Sequence, residues 1–240
     1  MNARVVSARC DHRGWTLQLA DGQTVSGGVV FSSMPLSALI EALEPQPPRH
    51  IRAVAARLRH RGLITVAVAL RRRYDIPYNW VYTPGADCRV GRIQNYTRWS
   101  PDLAPQDFAG THLGFEYYYD ADSDLRGASD QKLLKLVERD LEVLGCADSP
   151  VEHVMISRSP YAYPVHNATR DRSVGQIREY LRRHYPLLYP VGRNGMHRYD
   201  NQDHAMASAL QSVALYFGAN VDPWQVNTDT LYHESDLTKG

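Results

Sequence analysis

Residues 189–204 bring glycines, arginines and polar side chains together at a spacing that suits the binding of an anion or an electron-rich ring. The apolar residues before Gly192 predict a short buried strand. The helical periodicity of residues 205–217 predicts a helix that Gly218 ends. Gly192 and Gly195 let the backbone approach another group closely. The pattern therefore predicts a strand, a polar turn and a helix, in that order.

The start of this predicted helix can attract negative charge. Asn201 or Asp203 can cap the helix. Its first amides then face the turn that carries Arg193 and Arg198. A capped helix start favours an anion or the electron-rich edge of a ring. A purely structural turn would use the same residues, so the spacing alone leaves both interpretations open.

A second polar cluster occupies a predicted strand near the middle of the chain. Strand alternation gives it two faces, with Arg92, Gln94 and Tyr96 on one and Ile93 and Asn95 on the other. The first face is polar enough to line a pocket. We therefore expect this strand to contribute to a substrate site.

Glu116 is an acidic residue inside the predicted strand 111–119, which otherwise has a buried composition. Burying a carboxylate alone would be costly. We therefore expect Glu116 either to pair with an arginine in a structural ion pair or to line a cavity.

The elements that must position these residues alternate between helices and strands. Short strands over residues 5–25 form a meander, and the strand 28–33 runs into a helix. Further strands are predicted at 62–70, 80–83, 88–96, 111–119 and 151–158, and further helices at 49–59, 129–144 and 173–184. This order predicts an α/β protein with an inserted α+β part, in which helices cover a mixed or antiparallel sheet.

The composition excludes several classes of protein. With 27 basic and 26 acidic residues among 240, the chain has no charge excess that would favour nucleic acid or a membrane surface. Its three cysteines lie far apart, and its ten histidines form no HExxH motif, so the sequence indicates neither a disulfide framework nor a metal site. No apolar run is long enough to span a bilayer, and we expect a cytoplasmic protein.

The residues Gly-Arg-Asn-Gly-Met-His-Arg-Tyr-Asp-Asn-Gln-Asp-His, at 192–204, carry a family resemblance. This motif resembles the C-terminal flavin motif of the FAD-dependent amine oxidase and protoporphyrinogen oxidase superfamily, in particular its UDP-galactopyranose mutase-like branch. The resemblance implies a partial FAD-binding Rossmann-like domain, residues 1–45 and 186–240. It also implies an inserted substrate domain, residues 46–185.

The dinucleotide fingerprint G-x-G-x-x-G has no match in these residues. The resemblance therefore implies that the chain corresponds to the C-terminal part of a family member, without the segment that holds the adenosine diphosphate half of FAD. On this expectation the chain alone forms only part of the FAD site. It is then either an FAD-dependent oxidoreductase completed by an N-terminal dinucleotide-binding segment or chain, or a non-catalytic fragment or subunit.

The resemblance also implies roles for individual residues. Arg193 would lie beside the flavin, and Tyr199 would face a phosphate-bearing or sugar ligand. The segment 160–165 resembles the one that passes over the flavin, where its tyrosines would wall an apolar cavity or simply pack a loop. The implied cofactor-binding residues are Gly192, Arg193, Asn201, Gln202, Asp203 and Met206. The expected substrate residues are Arg92, Asn95, Tyr96, Glu116, Tyr161, Tyr163, Arg198 and Tyr199.

The implied chemistry belongs to the flavin, so no acid, base or nucleophile needs to be present. Two reactions remain open: hydride transfer from a carbon next to nitrogen or within a ring, and attack of reduced flavin on the anomeric carbon of a sugar. Asn201 stands where mutases usually carry an acidic residue. The expected partner is a small molecule, either a nucleotide-sugar or an amine.

Overall fold

The structure is a computed structural model that describes residues 3–85, 87–103 and 108–227. The strands are β1 (Val5–Asp11), β2 (Gly14–Leu19), β3 (Thr24–Gly27), β4 (Val30–Ser32), β5 (Leu43–Glu44), β6 (His60–Leu70), β7 (Trp80–Tyr82), β8 (Arg92–Asn95), β9 (Thr111–Tyr119), β10 (Val151–Pro164) and β11 (Leu188–Pro190). The helices are α1 (Leu36–Ala42), α2 (Arg49–Ala55), α3 (Tyr96–Trp99), α4 (Asp130–Val143), α5 (Arg170–His184), α6 (Gly192–Gly195) and α7 (Gln202–Tyr216). The chain therefore has a mixed α/β architecture.

The chain divides into two compact units. Unit 1 comprises Met1–Arg59 and Tyr163–Gly240, and unit 2 comprises His60–Ala162. These bounds differ from those of the cofactor and substrate domains inferred from the sequence. That functional division stays a prediction, because compactness alone assigns no function.

Unit 1 contains the predicted meander as a sheet in the order β3-β2-β1-β5. Strands β1 and β2 pair antiparallel, and the hairpin turns at Gly14, whose φ of 117° suits glycine. A Cβ at Gly14 would also come within 2.7 Å of the Gly27 carbonyl oxygen. Two-residue strand β5 adds to β1 in parallel.

Helices α1, α2 and α5 form the core of unit 1 with this sheet. The apolar residues that recur at helical spacing on α1 and α5 are buried: Leu36, Leu39, Ile40, Val174, Ile177 and Leu181. They pack with Trp15 and Leu188 into one cluster. The 3.6-residue periodicity of these helices therefore marks their buried faces.

Helix α7 confirms the predicted helix but not the usual placement of its apolar residues. Its buried positions are Ser208 and Ser212. Met206, Leu210 and Phe217 are exposed by 62%, 72% and 80%. The two-stranded parallel sheet of β4 and β11 contacts α7 through the rings of Phe31 and Tyr189, which pack on Tyr216. Met206 and Leu210 therefore belong to neither of the apolar clusters found among the described residues.

Unit 2 is built on a five-stranded sheet in the order β10-β6-β9-β8-β7. Its long central pair, β6 with β9, is antiparallel and runs in register from Gly62 opposite Tyr119 to Leu70 opposite Thr111. One face of this pair carries Val66, Phe115 and other residues of a buried apolar cluster. This agrees with the expectation of a mixed or antiparallel sheet.

Helix α4 covers the apolar face, beginning after the cap Ser129, whose hydroxyl accepts a hydrogen bond from the Lys132 amide at 3.3 Å. The spacing of Leu134, Val137, Leu141 and Leu144 predicts a buried stripe on this helix, and this is partly wrong, because Leu134 and Leu144 are only partly buried. Leu133 and Asp140 lie inward with Val137 and Leu141. The Asp140 carboxylate accepts hydrogen bonds from the amides of Arg89 and Val90 and from the Tyr117 hydroxyl. Burial and the negative charge of Asp140 raise the pKa of Tyr117.

Two strands have different lengths from those predicted. The strand expected at 88–96 is only β8, because the chain turns into α3 at Tyr96. The strand expected at 151–158 continues as β10 to Pro164, so the Pro160–Pro164 stretch lies in a strand and not in a loop. Strand β10 lies at an edge of the sheet, which is where proline is tolerated in a strand. No helix in the described part of the chain is long and apolar enough to cross a bilayer.

Candidate functional site

The turn at Gly192 is fixed by a side chain from the helix that follows it. Gly192 has a φ of 70°, a left-handed conformation that favours glycine. Its amide donates a hydrogen bond of 2.9 Å to the Ser208 hydroxyl, which in turn donates to the Ala205 carbonyl at 2.8 Å. Ser208 is completely buried. The turn and the first part of α7 therefore form one hydrogen-bonded piece.

Gly195 is required by the strand beside it. A Cβ at this position would lie 2.5 Å from the Ser32 carbonyl oxygen, at the end of β4. The same oxygen accepts a hydrogen bond from the Val191 amide at 2.9 Å. The sequence suggested that this glycine admits a ligand. The packing against Ser32 supplies a reason for it within the chain.

Asn201 begins α7 with reciprocal capping. Its side chain accepts from the backbone of His204, and its own amide donates to Nδ1 of His204 at 3.3 Å. The predicted cofactor-binding residues Gln202, Asp203 and Met206 follow on the first turn, and all three are exposed. The positive end of the helix therefore opens onto a surface that a ligand can reach.

Arg193 extends from the glycine turn over two tyrosines. Its guanidinium carbon lies 5.0 Å from the ring centre of Tyr163 and 5.1 Å from that of Tyr199, within the range of cation–π attraction. The two rings are stacked, with centroids 5.9 Å apart. The Arg193 Nε also donates to the Asp200 carbonyl at 2.8 Å. Three residues predicted to contact the cofactor or substrate therefore lie together.

Arg198 has a different environment from the one expected of a substrate residue. Its Nε and Nη2 donate to the two carboxylate oxygens of Asp200 at 2.8 and 3.0 Å, and its Nη1 donates to the Trp224 carbonyl at 3.0 Å. The Asp200 side chain is fully buried. Asn227 also donates to this carboxylate, at 3.1 Å. This geometry gives Arg198 a structural task, which is to hold the turn.

Unit 2 contains the other predicted cluster, centred on Glu116. This carboxylate is 2% exposed and accepts two hydrogen bonds from Arg92, at 2.8 and 3.0 Å. It also accepts a hydrogen bond from the side-chain amide of Gln94 and another, of 2.8 Å, from the Tyr118 hydroxyl. The bond to Glu116 raises the pKa of Arg92. The expectation that Glu116 pairs with an arginine agrees with this geometry.

Arg92 lies on a small aromatic surface that the sequence pattern did not reveal. Its guanidinium carbon lies 5.2 Å from the ring of Trp80 and 5.9 Å from that of Tyr82, both on the adjacent strand β7. Trp80 is exposed and also contacts Trp99 edge to face, with centroids 4.8 Å apart. Trp80 and Tyr82 reach Arg92 because β7 pairs with β8, and the periodicity of the sequence does not indicate this pairing.

The remaining predicted substrate residues of unit 2 do not all lie beside Glu116. Tyr96 lies on the face of the sheet that carries Glu116, above Gly114, where any side chain would collide with its ring. Burial, and then the charge of Glu116, raise the pKa of Tyr96. Asn95 instead caps α3 by accepting from the Arg98 amide and donates to the Ile76 carbonyl at 3.0 Å. Tyr161 packs edge to face on His60, with centroids 5.1 Å apart. Asn95 and Tyr161 therefore lie apart from the Glu116 cluster.

Each unit contains more than one cavity. One in unit 1 has a volume of about 390 Å³ and lies between α5, β11 and Trp224, and it is lined by none of the predicted cofactor-binding residues. One in unit 2 has a volume of about 790 Å³ and is lined by Tyr96 and by His112, which no sequence motif indicates. His112 lies on a strand of buried composition, and what distinguishes it from a core residue is a ring nitrogen that none of the described residues hydrogen-bonds.

Comparison with solved structures shows a shared fold. A reduced UDP-galactopyranose mutase matches 95% of the chain with a TM-score of 0.82 at 16% identity, and the match covers 48% of that chain. An Exiguobacterium sp. 255-15 protein assigned as a protoporphyrinogen oxidase matches 89% with a TM-score of 0.68 at 16% identity, covering 47% of its length. A CLA-producing fatty acid isomerase from P. acnes matches 90% of the chain with a TM-score of 0.61 at 16% identity, and the match covers 47% of that protein.

The chain thus spans about half the length of the solved structures that it matches. At these identities the similarity establishes the fold alone. No protein-family model and no curated protein sequence matches the chain.

Proposed function

We propose that the chain forms the flavin-ring side of an FAD site, together with the substrate-facing sheet, of an FAD-dependent oxidoreductase with an amine oxidase-like fold. The observation that carries this proposal is the glycine turn, which Ser208 holds in register with the exposed, capped start of α7. Its support is the fold shared with a mutase solved in a reduced form over 95% of the chain. A bound flavin would supply the redox chemistry by exchanging a pair of electrons with the substrate.

The residues of the turn fit the ring of a flavin. Backbone at Gly192 and the guanidinium of Arg193 would border the ring, and Gln202 and Met206 offer one amide and one apolar surface. The amides and dipole at the start of α7 would stabilise negative charge on the ring edge in its reduced form. Tyr199 is 51% exposed beside Arg193 and would face the substrate.

The residues do not fit the adenosine diphosphate half of FAD, since none of the 240 residues forms the glycine-rich fingerprint. We therefore propose that a dinucleotide-binding unit, on the same or a separate polypeptide, completes the site. The two-stranded parallel sheet of β4 and β11 supports this, because parallel sheets are normally extended and covered on both faces. The exposed apolar side of α7 offers a surface for such a unit.

We propose a small molecule as substrate, either a nucleotide-sugar or an amine, bound on the polar face of the unit 2 sheet near Arg92. Hydride transfer and mutase chemistry both suit a flavin. A non-catalytic subunit is the alternative, and it is favoured if a completed protein binds FAD without turning over either class of substrate.

Equilibrium dialysis of the purified chain against FMN and FAD tests the ring-side proposal. Because only the ring is contacted, the two flavins should bind with similar and modest affinity, with dissociation constants below about 1 mM. Met206→Arg should weaken both. Leu210→Arg is a matched control one turn further along the same exposed side of α7 and should change neither.

Three results would contradict the proposal. A preference for FAD of about tenfold or more would place an adenosine diphosphate site in this chain. Equal affinity of the Met206→Arg variant and the unmodified chain for the flavins would exclude a flavin site at α7. If neither FMN nor FAD binds, the chain alone has no flavin site. The substrate class is tested separately by thermal unfolding with UDP-sugars and with amines, since a ligand that binds the folded state raises its stability.

A further inference from the structure

The cavity of about 790 Å³ in unit 2 lies on the face of the sheet opposite the apolar core. Strand alternation places Val66 and Val68 of β6 in that core, while Ala67 and Ala69 point to the other face. Two alanines leave space that larger residues would fill. The volume is within the range of small-molecule sites.

The walls of this cavity are largely apolar. Phe108, Leu103 and Met155 line it together with the two alanines and Tyr96. None of the described residues that line the cavity is Lys or Arg, and its second histidine, His153, is exposed. A carboxylate or phosphate bound beside His112 would lose its water without gaining a buried cation, which is strongly unfavourable.

His112 gives the cavity a buried polar contact. Its side chain comes from β9 beside Ala69 and is 7% exposed. The ring stacks on Phe108, with centroids 5.1 Å apart and an angle of 27° between the planes. Its Nδ1 has no hydrogen-bond partner among the described residues. Buried polar atoms are normally paired, so this nitrogen indicates a ligand atom.

Burial lowers the pKa of His112, which favours the neutral ring at pH 7.5. A neutral imidazole carries its proton on one nitrogen and accepts with the other. With the proton on Nε2, Nδ1 accepts a hydrogen bond from a hydroxyl group. A ligand with one hydroxyl on an apolar body would therefore donate a hydrogen bond to this nitrogen and pack against the apolar walls.

We propose that this cavity binds an uncharged, largely apolar molecule whose hydroxyl group donates to Nδ1 of His112. The described residues that line the site all belong to unit 2, and the proposal does not depend on flavin. It accepts alcohols or phenols in preference to hydrocarbons of the same shape, and it rejects carboxylates.

Three probes of one shape test the proposal: 1-naphthol, naphthalene and 1-naphthoate, titrated calorimetrically into the full chain at pH 7.5. 1-Naphthol should bind about tenfold more tightly than naphthalene, as one buried hydrogen bond predicts. 1-Naphthoate should bind more weakly than both. In His112→Phe, which keeps the stacked ring, naphthalene should still bind and the preference for 1-naphthol should disappear.

A second variant tests the position of the site without touching the core. Met155 is 67% exposed at the edge of the cavity, so Met155→Arg should fold normally and raise the affinity for 1-naphthoate. Val143→Arg, on an exposed site of α4 outside the cavity, should leave all three affinities unchanged. The proposal is overturned if the folded chain binds none of the probes, if 1-naphthoate binds as tightly as 1-naphthol, or if His112→Phe retains the preference.

Discussion

The amide of Gly192 and the hydroxyl of Ser208 are joined by a buried hydrogen bond of 2.9 Å that ties the glycine turn to the second turn of α7. The bond explains why a serine occupies the inner side of a helix whose other residues are largely apolar. It also fixes the position of the Arg193 backbone relative to the helix start. Any ligand that contacts both then meets a preformed surface.

Ser208→Ala should lower the free energy of unfolding by about 1–3 kcal/mol, because the buried Gly192 amide loses its acceptor. Urea unfolding measures this change. Ser212→Ala is the matched control, since its hydroxyl donates to the Ser208 carbonyl and leaves no amide unpaired when removed. If Ser212→Ala lowered the free energy of unfolding as much as Ser208→Ala does, the result would contradict this account.

Gly195→Ala should destabilise unit 1 by about 1–3 kcal/mol, because the new methyl group would lie 2.5 Å from the Ser32 oxygen. The same substitution at Gly28 meets no atom within 4 Å and should be close to neutral. Thermal unfolding of the two variants compares them directly. Equal melting temperatures would mean that β4 and α6 are further apart than described.

Glu116→Ala should cost about 3–5 kcal/mol of stability, because the largely buried guanidinium of Arg92 loses its partner. The double variant Arg92→Leu with Glu116→Leu should recover part of this loss, since no charge remains buried. Glu179→Gln removes two exposed ion pairs on α5, with Arg182 and Arg183, and should have little effect. A double variant less stable than Glu116→Ala would show that the pair stabilises the fold beyond satisfying its own charges.

Acid should destabilise the chain through His112. Burial lowers its pKa below the ordinary value of 6.5, so on acidification the unfolded chain binds a proton at this ring before the folded chain does. The free energy of unfolding therefore falls as the pH drops below about 6.5. His112→Phe should flatten this decline in part, because burial also lowers the pKa values of His60 and His166. His50→Phe, at an exposed site on α2, should leave the slope unchanged in urea titrations between about pH 7 and 5.

Several elements could be predicted because local pattern decides them. Strand β9 has the bounds that its composition indicates, and Ser129 begins α4 as a helix cap should. The order of strand, glycine turn and helix around Gly192 is also as predicted. These features depend on spacing and on residue type within a few positions, which a sequence displays directly.

Other features depend on neighbours that are distant in sequence. Asp140 is buried in an apolar stripe because amides of residues 89 and 90 reach it from another part of the chain. His112 looks like a core residue until β6 places alanines beside it. Arg198 resembles a ligand residue until Asp200 and Trp224 are seen to occupy its guanidinium. The predicted roles of the cofactor and substrate residues stay predictions until a ligand is bound.

Helix α7 turns its serines inward and its methionine, leucine and phenylalanine toward water, which affects how the protein behaves in the laboratory. An apolar surface of this kind drives self-association and adsorption. The apparent affinity of the isolated chain for a flavin should therefore change with protein concentration and with mild detergent. Binding measured across a dilution series therefore distinguishes specific flavin binding from the effects of self-association through α7.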